Sequence, residues 1–206
     1  VVIRTYAHEE LIEFAKSAHI PVINALTNKF HPCQILTDLF TIYELSEKFD
    51  GIKVAYLGDC ANNTSNSLIL ASKLAGLELI LSSPEEYKPD QSIIGAENLG
   101  NGKVTWEPDP IKAVENSDYI YTDVWVSMGY EKEEKERKRK LAKYQVNSDI
   151  VSAAAPGVKI MHCLPARRGE EITDDVINSI NSIVFDQAEN RLHVQKAIMA
   201  LLLDNE

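Results

Sequence analysis

Cysteine is scarce in this 206-residue chain: Cys33, Cys60 and Cys163 are all there are, and no two have CxxC spacing. An odd number without that spacing argues against a disulfide framework and against a structural zinc site. A reducing compartment is the simpler expectation, the cytoplasm or, in a eukaryotic source, the mitochondrial matrix. Long apolar runs are missing too. None approaches the roughly 20 residues needed to cross a bilayer, and no signal peptide is visible, so no membrane partner is expected. Positive charge is in deficit, with 21 Lys+Arg against 31 Asp+Glu and a net charge of -10. Such a chain is not drawn to nucleic acid or to anionic membrane, which leaves a small molecule as the expected partner.

A dinucleotide fingerprint is also absent. "LGDCANNTSNS" places Gly58 between a strand and a helix, and Glu78 follows 20 residues later. A single glycine does not make GxGxxG, so the backbone lacks the close approach that a pyrophosphate requires. Glu78 opens the next strand, whereas a ribose acceptor belongs at a strand end. A nucleotide-binding oxidoreductase on a similar sheet is thereby disfavoured.

What is present is ordinary for a globular protein: 45% hydrophobic and 25% charged residues. Val1–Thr5 read as a strand, His8–Ala18 as a helix and "IPVINA" as a second strand. "HPCQILTDLFTIYELSEKF" reads as an amphipathic helix with Pro32 in its first turn. From Gly51 onward strands alternate with helices: "KVAYLGD", "LELILSSP", "GKVTWEPD", "DYIYTDVW", "VKIMHCLP" and a last short strand "NSIVFDQ", with a final helix "NRLHVQKAIMALLL". This alternation predicts an α/β fold, a parallel sheet with helices on both faces. In such sheets ligands collect beyond the carboxyl ends of the strands. "YEKEEKERKRKLAKY" holds four i,i+4 acid–base pairs, Glu131–Lys135, Glu133–Arg137, Glu134–Lys138 and Glu136–Lys140, and reads as a solvated helix.

The polar residues gather at strand ends. Asn62 and Asn63 can serve a zwitterion, or can cap a helix. Asp123 can hold a substrate ammonium, or cap a turn. His31 and Gln34 open a helix whose N-terminus favours a carbonyl or anionic oxygen, though His31 can also be a cap. Arg4 closes the first strand with a guanidinium suited to planar oxyanions. In "MHCLPARRGEE", Cys163 can be a substrate contact, a buried small hydrophobe or a metal ligand with His162. Arg167 and Arg168 can be exposed or pair with Glu170 and Glu171.

The order "HPCQ", "DVWVSMG", "HCLPARRGEEI" along almost the whole chain resembles the ornithine carbamoyltransferases. The resemblance implies a Rossmann-like ornithine-binding domain at 50–187, a remnant of a carbamoyl phosphate-binding domain at 1–32, a linking helix at 33–49, and a C-terminal helix at 188–206 packing back on the first domain. It implies transfer of the carbamoyl group of carbamoyl phosphate to the δ-amine of L-ornithine by direct attack through a tetrahedral intermediate, with no cofactor or metal. By the same resemblance Arg4, His31, Gln34, Cys163, Leu164 and Arg191 would face carbamoyl phosphate. Arg4, His31, Cys163 and Arg191 among them would be catalytic. Asn63, Asp123, Ser127 and Met128 would hold ornithine. Homotrimers, or multiples of them, are the implied assembly of the full-length protein.

The chain departs from the family in having no Ser-x-Arg-Thr-Arg phosphate loop. "VVIRTYAH" reads as the interior of a buried strand, and an upstream segment is expected. The isolated 206 residues are therefore expected to be weak or inactive in the transfer. A non-catalytic amino-acid-binding module and a carbamoyltransferase for a related amine such as putrescine are the competing readings.

Overall fold

In the computed structural model, which describes residues 1–203 apart from Asn98, Ser127 and Met128, the chain opens with β1 (Val2–Arg4), α1 (His8–Ser17) and β2 (Ile23–Leu26). The two strands pair in parallel as a small sheet. Next comes α2 (Pro32–Ser46), with proline in the first turn where a missing N–H costs nothing. The larger unit follows as β3 (Lys53–Leu57), α3 (Asn63–Ala75), β4 (Glu78–Ser82), α4 (Gln91–Ile94), β5 (Lys103–Trp106), α5 (Pro110–Val114) and β6 (Tyr119–Thr122). It is completed by α6 (Glu134–Leu141), α7 (Ser148–Ala153), β7 (Lys159–His162), α8 (Asp174–Ile177) and α9 (Val184–Leu203).

Its five strands are all parallel, in the order β5-β4-β3-β6-β7. Alternation along each strand sends side chains to opposite faces. Val54, Tyr56, Leu79, Leu81, Tyr121 and Met161 pack on the side of α2 and α3, with Ile35, Ile42 and Leu68. Ala55, Leu57, Ile120 and Ile160 pack on the other side with Leu141, Tyr144, Ile150 and Val176. Helices thus cover both faces, and the expected α/β class holds. The chain steps outward from β3 to β5, then returns to the other side of β3 with β6. The loops leaving β3 and β6 therefore diverge, and a crevice opens between them.

Three expectations need correction. The last short strand "NSIVFDQ" is not one: only an isolated bridge joins Ser182 to Ile160, and α9 already begins at Val184. The β-branched residues there cap the sheet and enter the helix. The expected boundary at 187/188 falls inside the first turn of α9, which packs along α2. The charge-dense helix is not simply solvated. Glu133–Arg137, Glu134–Lys138 and Glu136–Lys140 do form ion pairs, while the Glu131 side chain lies outside the described residues. But Arg137 is buried, with its guanidinium 2.7 Å from buried Asp59 and stacked against the rings of Tyr87 and Tyr130. Among the described residues, no helix is long and apolar enough to cross a membrane.

The contrast between these pairs is measurable. Removing one partner of a buried ion pair strands the other charge, which costs roughly 3–5 kcal/mol, against less than about 1 kcal/mol for an exposed pair. Arg137→Gln is expected to lower the urea midpoint strongly, and Lys138→Gln hardly at all. Equal midpoints for the two variants would contradict the burial of Arg137.

Candidate active site

The crevice continues into a cavity of about 440 Å³ between the large sheet and the β1-β2 sheet. Apart from α9, the contributing segments lie at the carboxyl ends of strands. Arg4 ends β1 and Tyr6 follows it, and Thr27, Asn28 and His31 follow β2. Ala61–Thr64 follow β3, Asp123, Val124 and Val126 follow β6, and Cys163–Pro165 follow β7. Arg191 reaches the wall from the second turn of α9. Gly58 makes the turn out of β3 in a left-handed conformation, φ 127°, with its N–H on the Ser82 carbonyl. That backbone conformation, and not its ordinary contact with Trp125, is where its freedom is used.

His31, Asn63, Asp123 and Cys163 all line this one space. The two adjacent asparagines divide the roles that the sequence left open. Asn62 caps α3, accepting from the Ser65 N–H at 2.8 Å. Asn63 faces the cavity and donates to the Thr27 carbonyl at 2.7 Å, tying the small sheet to the large unit. His31 occupies the cap position of α2 but makes no side-chain cap bond. Its backbone N–H donates to Ser67 Oγ at 2.7 Å, and its buried Nδ1 has no partner.

Gln34 does not line the cavity. It is 1% exposed, its Oε1 accepting from Arg191 Nη1 at 2.8 Å and its Nε2 donating to Asp38 at 2.8 Å. One helical turn past His31, it lies under the wall and holds Arg191. Ser127 and Met128 lie outside the described residues. Sequence reasoning passed over Tyr6, Asn28 and Tyr130 and gave Arg167 no role in the site, yet all four line the space. Tyr6 and Asn28 stand just past strand ends, a positional signal that was available. Arg167 sits near Glu134 and Glu170, Arg168 pairs with Asp174, and Glu171 turns inward to other partners.

Cys163 donates its thiol hydrogen to Asp123 Oδ1 at 2.9 Å, an oxygen that also accepts from the Val124 N–H at 2.7 Å. Burial, and then the neighbouring Asp123 carboxylate, push the thiol well above its ordinary range. It stays a neutral thiol and is neither a ready nucleophile nor a thiolate ligand. His162 is fully engaged as well. Its Nδ1 accepts from the Leu164 N–H at 2.9 Å, so Nε2 carries the proton towards Glu171 Oε1, 3.1 Å away. Asp123, His162 and Cys163 approach one another within 4.8 Å, yet the ring has no free lone pair to offer a metal ion. Leu164, at φ 54°, turns the chain into the cavity wall.

Burial lowers His31 from its ordinary 6.5 to about 4, and Arg191 adds to the effect. The imidazole is therefore neutral at pH 7, able to donate one hydrogen bond without carrying charge. Between pH 6.5 and 4 the folded state holds fewer protons at His31 than the unfolded chain, so stability is lost as pH falls through that window. The shift corresponds to about 3 kcal/mol at pH 4. Relative to the unsubstituted chain, His31→Gln is expected to gain about that much between pH 7 and pH 4, read from urea unfolding at both values. Parallel behaviour of the two chains would mean that the imidazole is not buried as described.

Comparison with known proteins follows the same division. Residues 50–202 match the family model "Aspartate/ornithine carbamoyltransferase, Asp/Orn binding domain", and residues 1–44 match the "carbamoyl-P binding domain" of the same family. The chain is 48% identical over 207 residues to an ornithine carbamoyltransferase of Pyrococcus abyssi, covering 98% of this chain and 65% of the relative. It is 47% identical over 211 residues to one of Methanocaldococcus jannaschii, covering 100% of this chain and 69% of the relative. The solved ornithine carbamoyltransferase from Pyrococcus furiosus is similar throughout, with a TM-score of 0.94 at 47% identity, covering 100% of this chain and 66% of that one. The chain thus spans about two thirds of the length of the relatives it matches.

Proposed function

The chain belongs to the aspartate/ornithine carbamoyltransferase family, and from that premise we propose that it carries the ornithine side, and part of the carbamoyl side, of a carbamoyltransferase site. The reaction is transfer of the carbamoyl group of carbamoyl phosphate to the δ-amine of L-ornithine, giving L-citrulline and phosphate. The observation that carries this reading is the pairing of unlike ends within one cavity. Asp123 and Asn63 offer an acceptor and an amide, and Arg4, Arg191 and neutral His31 add positive and donor groups to the same lining. A diamino acid beside a carbonyl compound suits that distribution.

In this reading Asp123 accepts the α-ammonium of ornithine, and Asn63 meets its carboxylate end. The δ-amine must arrive neutral, since an alkyl amine of this kind is protonated below about 10.4. Its lone pair forms the C–N bond as the carbonyl pair moves onto oxygen. Arg4 and the ring N–H of the His31 imidazole stabilise that oxyanion, more strongly than they bind the ground-state carbonyl. The pair then returns, the C–O bond to phosphate breaks, and the departing phosphate takes the proton released by nitrogen. Cys163 and the Leu164 carbonyl orient the amine. A neutral thiol bound to Asp123 does not act as the base. Holding two reactants in one cavity supplies much of the remaining acceleration. Arg191 serves the carbamoyl phosphate side, and Gln34 acts one step back by holding Arg191.

The sequence holds no Ser-x-Arg-Thr-Arg stretch, so a phosphate anchor of that kind does not come from these 206 residues. Binding and turnover therefore need separate tests. L-Ornithine is expected to bind the chain in a calorimetric titration and putrescine, which has no amino-acid end, to bind far more weakly. Asp123→Asn should weaken ornithine by about 10–100-fold, the worth of a hydrogen bond to a charged group. Equal binding of the two amines, or no effect of the substitution, would count against the assigned role of Asp123. Ornithine binding with no citrulline formed from carbamoyl phosphate, either by these 206 residues or by a chain extended with a phosphate-loop segment, would favour the amino-acid-binding module instead.

A further inference from the structure

Beneath the cavity lies a carboxylate that the reaction above does not use. Asp38, on α2, has no exposure at all. Its Oδ1 accepts from Gln34 Nε2 at 2.8 Å and from Gln187 Nε2 at 2.6 Å, and its Oδ2 accepts from the Tyr121 hydroxyl at 2.9 Å. Burying a charge in this way is costly unless hydrogen bonds satisfy it, and three donors do so here. Each amide has two unlike ends. A carboxylate can only accept, so it turns both NH2 groups towards itself and presents both amide oxygens outward. The Gln34 oxygen then receives Arg191 Nη1 at 2.8 Å, and the Gln187 oxygen receives the His162 N–H at 2.9 Å.

We propose that Asp38 is a positioning residue: by fixing which way the Gln34 amide points, it holds the Arg191 guanidinium in the cavity wall beside His31. Gln187 and Tyr121 hold Asp38 itself in place, from α9 and β6. Were the Gln34 amide reversed, its NH2 would face the guanidinium, donor against donor, and Arg191 would be driven away. The charged and titratable groups facing Asp38 are Arg191 from α9, Tyr121 from β6 and Cys163 from the end of β7. None of them substitutes for the acceptor at Oδ1. The chemical meaning of the relay rests on the function proposed above, but its geometry does not, so the two can fail separately.

His31 provides the readout. Arg191 is one of the groups that keep its imidazole neutral, so displacing Arg191 should make His31 easier to protonate. Simply deleting the Asp38 charge would give no such rise, because the carboxyl, raised to about 6, is already protonated where His31 titrates. The two effects can therefore be told apart. The His31 ring proton, assigned by its loss in His31→Gln, would be followed by NMR from pH 4 to 8. In the unsubstituted chain it should stay in its neutral position down to about pH 5. In Asp38→Leu the midpoint should rise from about 4 by roughly half a unit or more. Asp38→Asn keeps an acceptor at Oδ1 and should show no rise. Gln34→Leu cuts the link to Arg191 while leaving Asp38 its other donors, and should reproduce the rise even if Asp38→Leu fails to fold. A His31 midpoint that is unchanged or lower in Gln34→Leu would overturn the proposal.

Discussion

The reversal of strand order between β3 and β6 is the constraint on which the rest depends. Parallel strands need crossovers, and each crossover commits its connecting helix to one face of the sheet. Running from β3 to β5 and then back to β6 sends the two central loops apart at their carboxyl ends. Nowhere else in this sheet could Asn63, Asp123 and Cys163 face one opening from three different strands. The small β1-β2 sheet closes the opposite side. Three hydrogen bonds fasten it there: Asn63 to the Thr27 carbonyl, Asn66 to the Lys29 carbonyl and the His31 N–H to Ser67. All three involve side chains of α3, so the helix that follows β3 also carries the opposite wall of the cavity.

Charge around the cavity is controlled chiefly by burial. Desolvation is the largest influence on His31, Cys163 and Asp38, and in each case it favours the uncharged form. A neutral imidazole and a neutral thiol in the wall leave the arginines and Asp123 as the poles of the site. His31 and Asp38 also have opposite effects on stability in acid. The imidazole, lowered to about 4, costs stability as pH falls from 6.5. The Asp38 carboxyl, raised to about 6, takes up a proton more readily when folded, so it adds stability as pH falls through the same range. Two buried groups of opposite charge type on one helix thus compensate each other where either alone would make the fold pH-sensitive.

The strands from β3 to β7 were legible because each carries a β-branched residue in a short apolar run bounded by turn signals, and the parallel sheet buries both faces of them. α2 was legible from His-Pro, and α3 from its capping asparagine and terminal glycine. Short α4, α7 and α8 were not, because four to six residues show no helical period. The "NSIVFDQ" segment misled for the opposite reason. Ile183 and Val184 favour a strand locally, but α9 is set by packing along α2. Arg137 was read as solvated from its i,i+4 partner. Its second partner, Asp59, is 78 residues away in sequence, and no local pattern reports it.

By itself the sequence determined the elements, their alternation and the chemical kinds of residue at the strand ends, because these follow from periodicity and turn chemistry over a few residues. It also determined the likeness that names Arg4, His31, Asp123 and Cys163. Which of those side chains face one cavity was decided only by the tertiary structure. So was the separation of Asn62, a cap, from Asn63, a wall residue, and the place of Gln34 beneath Arg191. The physical reason is that such roles depend on contacts across long stretches of chain, from Gln34 to Arg191 and from Asp123 to Cys163, and on the loss of water that those contacts bring. Neither the orientation of an amide nor the protonation of a thiol exists until the chain has closed around it.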